Sequence, residues 1–225
     1  MNTGKPQLGI KDLNTSCCDK SRHWGTIVVF CIIVIMALML RVGHIHILLN
    51  GHSLTDAPIH ADARQYVKYG YNLVYNSMYS MDFPSKHPVP DAYRSPGYPL
   101  LIALSMRLAD GLGFIPVLLY IQAIIGTLTV ILTYLLAKHF MSKTIALVAA
   151  FLVGSSPHLI TMSGYVLTET LSGFLITAAL LSFNKAMDCH HLIWFALSGL
   201  LFGWGYLTNE TLLVLPFILG CIALV

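Results

Sequence analysis

The sequence predicts an all-α polytopic membrane protein, with about six transmembrane helices and a long first outer loop carrying interfacial helices. Of 225 residues, 56% are hydrophobic and only 10% charged, with a mean hydropathy of +0.71; ordinary soluble domains are roughly a quarter charged. Apolar stretches close to the ~20 residues that cross a bilayer as helix recur along the chain. Polar connections carrying nearly all the charge separate them. Together these exclude a soluble globule, a disordered chain and a secreted disulfide scaffold. The net charge is only +3, and no basic tract with interleaved aromatics suggests nucleic acid, so membrane lipids are the expected surroundings.

Residues 1–23 are polar, with Lys5, Lys11, Lys20 and Arg22 against Asp12 and Asp19, and read as a cytosolic tail. Residues 24–49 form the first expected transmembrane helix. It is uncharged from Trp24 to Leu40, continues past Arg41 to Leu49, and lacks a small-residue cleavage site, so it is not a signal peptide. Residues 50–110 are the outer loop, polar from Asn50 to Gly97 and then apolar from Tyr98 to Leu108. That last piece is too short to span, and with Arg107 and Asp110 at its end it is expected to be interfacial or re-entrant. Residues 111–225 form the bundle, with passes expected at Phe114 to Leu136, Thr144 to Gly154, Val166 to Phe183, Leu192 to Tyr206 and Thr211 to Val225. The chain stops inside an apolar run, as expected for the front portion of a longer protein.

Basic residues in the connections set the orientation. With the amino terminus inside, seven basic residues face three acidic ones on the inner side, a balance of +4. The outer side, counting Arg41, Arg64, Lys68, Lys86, Arg94 and Arg107 against seven acids, comes to −1. The asymmetry favours a cytosolic amino terminus and requires Tyr98 to Leu108 not to cross.

The outer loop is richest in chemistry. In HADARQYVKYGYNLVY, Asp62, Tyr66, Tyr69 and Asn72 fall at helical spacing beside a narrow apolar stripe of Ala63, Val67, Gly70 and Val74. This predicts a helix on the membrane surface whose tyrosines suit the headgroup region. Further on, Tyr93-Arg94-Ser95-Pro96-Gly97-Tyr98-Pro99 forces a turn. The turn presents Arg94, whose guanidinium can grip a phosphate through paired hydrogen bonds or reach anionic lipid.

Glu169 is the only charge between Lys143 and Lys185, and Glu210 the only one after Asp188. An ionisable group near the apolar slab costs roughly 2.5–3.5 kcal/mol on insertion scales and normally faces a polar cavity. Glu210 opens its helix, where the dipole alone stabilises a carboxylate. The histidines His44, His46, His52, His60, His190 and His191 lack ligand spacing on one helix face, so no metal site is assigned. Gly199 and Gly203 suggest close helix packing. No P-loop, dinucleotide fingerprint or serine-nucleophile motif is present.

Taken in order, these features resemble the C-type-fold membrane glycosyltransferases of the protein O-mannosyltransferase and aminoarabinose transferase superfamily. The resemblance rests on Asp62 to Tyr66 as an Asp-x-x-x-Tyr helix, on Arg94-Ser95-Pro96-Gly97-Tyr98-Pro99, and on Ser156-Pro157 followed by Thr168-Glu169. It implies inverting transfer of a sugar from a polyprenyl-phosphate donor to a protein, lipid or glycan acceptor, at the outward face of a bacterial inner membrane. Asp62 would be the catalytic base, Arg94 would hold the phosphate, Glu169 would position hydroxyls, and Tyr66 and Tyr98 would line the substrate site. Tyr93 stands where some relatives carry an acidic candidate ligand. The divalent metal that the resemblance allows therefore loses that candidate ligand in this chain, and no cofactor is assigned. Leu207-Thr208-Asn209-Glu210 stands where many relatives carry an arginine. The alternative is a transporter or non-catalytic membrane subunit using Glu169 and Glu210, which has no need of a carboxylate on a surface helix.

Overall fold

The computed structural model describes residues 10–51, 59, 62–85 and 87–223. Lys5, His52, His60 and Lys86, all singled out above, lie outside the described residues. Among the described residues there are nine α-helices, two 3-10 turns and no strand.

The first helix, α1 (Ile10–Gly51), begins well before Trp24. Residues 10–23, read as a tail, contain neither proline nor glycine, so nothing in them stops the helix from growing backwards from its apolar part. The apolar part, Trp24–Gly51, has 28 residues. At 1.5 Å each it is about 42 Å long, enough to cross a bilayer with tilt. Two further stretches are long and apolar enough to cross: Gly111–Phe140, which contains α4 (Phe114–Phe140), and Glu169–Cys189, which is α7. The other expected passes are apolar but shorter: α5 (Lys143–Ser155), α8 (Leu192–Thr208), and the 3-10 turn Glu210–Leu213 leading into α9 (Val214–Ala223). The loop helices are α2 (Asp62–Tyr75) and α3 (Gly97–Leu108). The Ser156-Pro157 break ends α5, and Pro157 opens the short α6 (Pro157–Met162), where its missing N–H costs no hydrogen bond.

Helix α1 packs along α4 and α5, α7 lies between α4 and α8, and α2 lies on α3, which also touches α4 and α8. One apolar cluster sits between α1, α4 and α5 around Ala37, Val130 and Ala150. The larger one, around Ile102, Leu118 and Leu175, supports the loop helices. Outside them α1 and α8 turn large apolar side chains such as Ile35, Met39 and Leu200 outward. Such surface is at home in lipid and would be an aggregation hazard in water.

Two expectations change here. Arg41, counted among the outer-side charges, lies inside α1 and is 1% exposed. Its Nη1 donates to Ala37 O at 3.0 Å and Gly154 O at 3.2 Å, and its Nη2 to Val153 O at 3.5 Å. The last carbonyls of α5 lack intrahelical partners, and a guanidinium fork meets two of them while favouring the negative end of that helix. Gly126 makes room, because a Cβ there would come within 2.8 Å of Arg41 Nε. Gly199 and Gly203, expected to mark close packing, have nothing within 4 Å of a Cβ position. They line an apolar groove of about 1250 Å³ beside Leu100 and Trp204.

Candidate active site

Helix α2 begins at Asp62, whose carboxylate suits the positive end of the helix. One turn on, Gln65 and Tyr66 share its face. The chain returns through Tyr93 to Pro96, and the turn places Arg94 over that face: Nη2 lies 2.6 Å from Asp62 Oδ1 and Nε 2.7 Å from Gln65 Oε1. The guanidinium carbon stands 5.3 Å from the ring centroids of both Tyr66 and Tyr93, within cation–π range. The Arg94 carbonyl accepts from the Tyr79 hydroxyl at 2.6 Å. Arg94 is thus fixed through its main chain and its side chain together.

The other wall comes from the bundle. Thr168 and Glu169 stand at the start of α7, and Asn209 and Glu210 follow α8. Asn209 Oδ1 accepts from Thr211 N, which shapes the turn, and Glu210 Oε1 accepts from the Ser95 hydroxyl at 2.9 Å. Asp62, Arg94, Glu169 and Glu210 thereby line one open polar cleft of about 460 Å³. Three carboxylates and one guanidinium in one cleft can accept a proton, orient hydroxyl groups and bind an oxyanion.

Of the residues selected from sequence, Asp62, Tyr66, Arg94 and Glu169 meet at this cleft. Tyr98 does not reach it. At 0% exposure it packs edge-on beneath Tyr66, centroids 5.4 Å apart, with its hydroxyl donating to Gln122 Oε1 at 2.8 Å. Tyr69, expected at the headgroup level, is buried as well, whereas Tyr71 and Tyr75 are exposed. Gln65, Ser95 and the role of Glu210 went unread. Gln65 had a signal in its spacing, three residues from Asp62 on the same helical face, and Glu210 one in its isolation as a charge.

A second network holds the returning segment. The Tyr69 hydroxyl donates to Asp91 Oδ1 and accepts from Tyr93 N, and Met81 N donates to Asp91 Oδ2 at 2.7 Å. Asn72 Nδ2 donates to Ser80 O at 2.8 Å, and the Tyr69 and Tyr79 rings stack with centroids 4.3 Å apart. Burial opposes the charge on Asp91, but hydrogen bonds from Met81, Tyr69, Tyr93 and Ser80 outweigh it and hold the carboxyl below its ordinary value. Burial, then the Asp91 carboxylate, pushes the Tyr69 hydroxyl up to about 12. Tyr66 is also raised, mainly by burial and only partly offset by Arg94.

The signs give a pH window. Asp91, more acidic folded than unfolded, contributes fully above its unfolded value of 3.8 and loses that contribution as pH falls through its lower folded value. Tyr69 contributes below 10.0 and loses its part as pH rises through about 12. Near-ultraviolet circular dichroism of the tyrosine cluster is expected to hold from about pH 4 to 10 and decay on either side. Tyr69→Phe is expected to lower stability by about 1 kcal/mol in thermal unfolding. An unchanged spectrum at pH 2 would remove Asp91 as the organiser of this segment.

Among the described residues, no three His, Cys, Asp or Glu side chains come together to hold a metal ion. Comparison with known proteins places this architecture. A family model described as dolichyl-phosphate-mannose-protein mannosyltransferase matches residues 86–225. That range contains Arg94, Glu169 and Glu210 but neither Asp62 nor Tyr66. The crystal structure of the Archaeoglobus fulgidus oligosaccharyltransferase in the apo form matches with a TM-score of 0.64 and 21% identity, over 81% of this chain and 23% of that one. The chain therefore spans about a quarter of the length of that structure, and at this identity the likeness shows the fold alone. No curated protein matches.

Proposed function

The chain belongs to the dolichyl-phosphate-mannose-protein mannosyltransferase family, and from that premise we propose that it transfers a sugar from a polyprenyl-phosphate donor to an acceptor hydroxyl or amine, with inversion. The observation that carries this reading is the Asp62–Arg94 contact in a polar cleft shared with Glu169 and Glu210. A base, a phosphate ligand and hydroxyl-binding groups stand together at the end of apolar helices.

In the proposed reaction the acceptor's nucleophilic atom attacks the anomeric carbon while Asp62 takes its proton. The bond from that carbon to the phosphate oxygen breaks, and its electron pair leaves on the phosphate. Arg94 stabilises the growing negative charge through charge-assisted hydrogen bonds. A single displacement of this kind inverts the anomeric centre. Asp62 occupies Nη2 of Arg94, while Nη1 has no hydrogen-bond partner among the described residues. An arriving phosphate engages Nη1, competes for the fork and releases Asp62 to act as base. Glu169 and Glu210, on the opposite wall, orient acceptor or sugar hydroxyls. Tyr66 packs under the guanidinium, and Tyr98 supports Tyr66 from below. The charge asymmetry of the connections supports an outward-facing cleft.

The test is transfer of radiolabelled sugar from a panel of polyprenyl-phosphate donors by membranes containing this chain. Arg94→Ala is expected to raise the donor KM by one to two orders of magnitude, about the cost of losing a charged hydrogen-bond partner, with the acceptor KM nearly unchanged. Superimposable donor saturation curves for variant and parent would remove Arg94 as the phosphate ligand. Absence of transfer from every donor by correctly inserted protein would overturn the enzymatic reading.

A further inference from the structure

The ends of α4 and α7 far from the cleft border a second open hollow, mainly apolar but rimmed by charged side chains. Helix α7 has 21 residues, about 31 Å at 1.5 Å each. Asp188 therefore lies about the thickness of a bilayer's hydrocarbon core from Glu169. There Lys138, His139, Lys185 and Asp188 surround a cavity of about 350 Å³, with Leu135 and Leu181 as its apolar wall. Asp188 Oδ2 faces His139 Nδ1 at 3.5 Å across the two helices. The Lys185 ammonium stands 4.5 Å from the centroid of the Trp194 ring, a contact that orients a cation without neutralising it. Lys138 makes neither an ion pair nor a hydrogen bond among the described residues.

We propose that this hollow binds the phosphodiester headgroup of one anionic phospholipid, held between Lys138 and Lys185. A lysine near the carboxyl end of each helix is accounted for by the helix dipole. The dipole does not account for two lysines from different helices lining one hollow. The depth of the site, one bilayer core from the cleft, puts it at the level of lipid phosphates. Its apolar wall suits the first carbons of acyl chains, which free phosphate lacks. Basic pockets between membrane helices bind anionic headgroups on the same physical grounds. Asp188 opposes the ligand and limits its affinity.

The experiment is native mass spectrometry of the full chain, exchanged into equimolar phosphatidylglycerol and phosphatidylcholine. One phosphatidylglycerol is expected to be retained in preference to phosphatidylcholine. Lys138→Gln or Lys185→Gln is expected to weaken that retention about fivefold each, and the double variant to abolish the preference. The double arginine variant, which keeps both charges, is expected to retain the lipid and so separates loss of charge from loss of fold. Asp188→Asn is expected to tighten binding. An excess of inorganic phosphate is expected to leave the lipid in place. Displacement by inorganic phosphate, equal retention of the two lipids, an unaffected double glutamine variant, loss in the double arginine variant or weaker binding by Asp188→Asn would each overturn the proposal.

Discussion

Asp62→Asn is expected to lower sugar transfer by a factor of roughly 10²–10⁴, the range over which a positioned general base acts, with membrane insertion and thermal unfolding unchanged. Asparagine has the size of aspartate and still offers an oxygen to Arg94, so the contact can persist. It cannot take a proton from the acceptor. The stability half of the expectation follows from exposure: the Asp62 side chain is 57% exposed and that of Arg94 23%, and ion pairs this accessible to water contribute about 0–1 kcal/mol. Loss of transfer with intact unfolding therefore separates chemistry from folding. The result also bears on the alternative of a transporter or assembly subunit, in which neutralising a carboxylate at the start of a loop helix has no reason to matter. Transfer within threefold of the parent, measured on matched membranes, would remove Asp62 as the base. Asp62 lies outside the family-matched range, so its candidacy rests on the Asp-x-x-x-Tyr resemblance and the cleft geometry, and this variant tests it.

The helical class and most of the elements were legible because each is a run of one period between strong stops. Ser156-Pro157 and the Pro96-Gly97 turn are local chemistry, and the chain bends where they occur. The cleft was partly legible, since Asp62, Arg94 and Glu169 stood out as charges in apolar or turn surroundings. Their meeting was not, because Arg94 and Asp62 are 32 residues apart and Ser95 and Glu210 are 115 apart, and periodicity reports a face but not what covers it. The same limit explains Tyr69. Its aromatic ring and hydroxyl suit a headgroup region as well as a half-buried bond to Asp91, and only the returning segment decides between them. Arg41 misled for the opposite reason. A charge in an apolar run suggests the edge of a membrane span, yet the unpaired carbonyls at the end of α5 made a buried place for it.

Gly97→Ala is expected to destabilise the protein by about 1–3 kcal/mol, the usual cost of forcing extra volume into a packed contact, and to lower transfer at least tenfold. A Cβ on Gly97 would lie 2.5 Å from Thr208 Oγ1, 2.7 Å from Leu207 O and 2.8 Å from Leu207 C. Thr208 Oγ1 can rotate away, but the Leu207 atoms are main chain, so the start of α3 and the end of α8 must separate. That separation runs through the cleft, since Ser95 lies two residues before Gly97 and Glu210 two residues after Thr208, and their hydrogen bond ties the walls together. A misplacement of about 1 Å at a reacting centre costs on the order of 10²-fold, which is why activity is expected to fall further than stability alone requires. Gly203→Ala supplies the opposite sign. It also lies on α8, where a Cβ has nothing within 4 Å, and replacing a helical glycine at an open position stabilises by about 0.4–1 kcal/mol. Thermal unfolding of the two variants in one detergent should therefore move in opposite directions from the parent. If both rise together, the approach of α3 to α8 is looser than these distances, and the Ser95–Glu210 bond does not depend on Gly97.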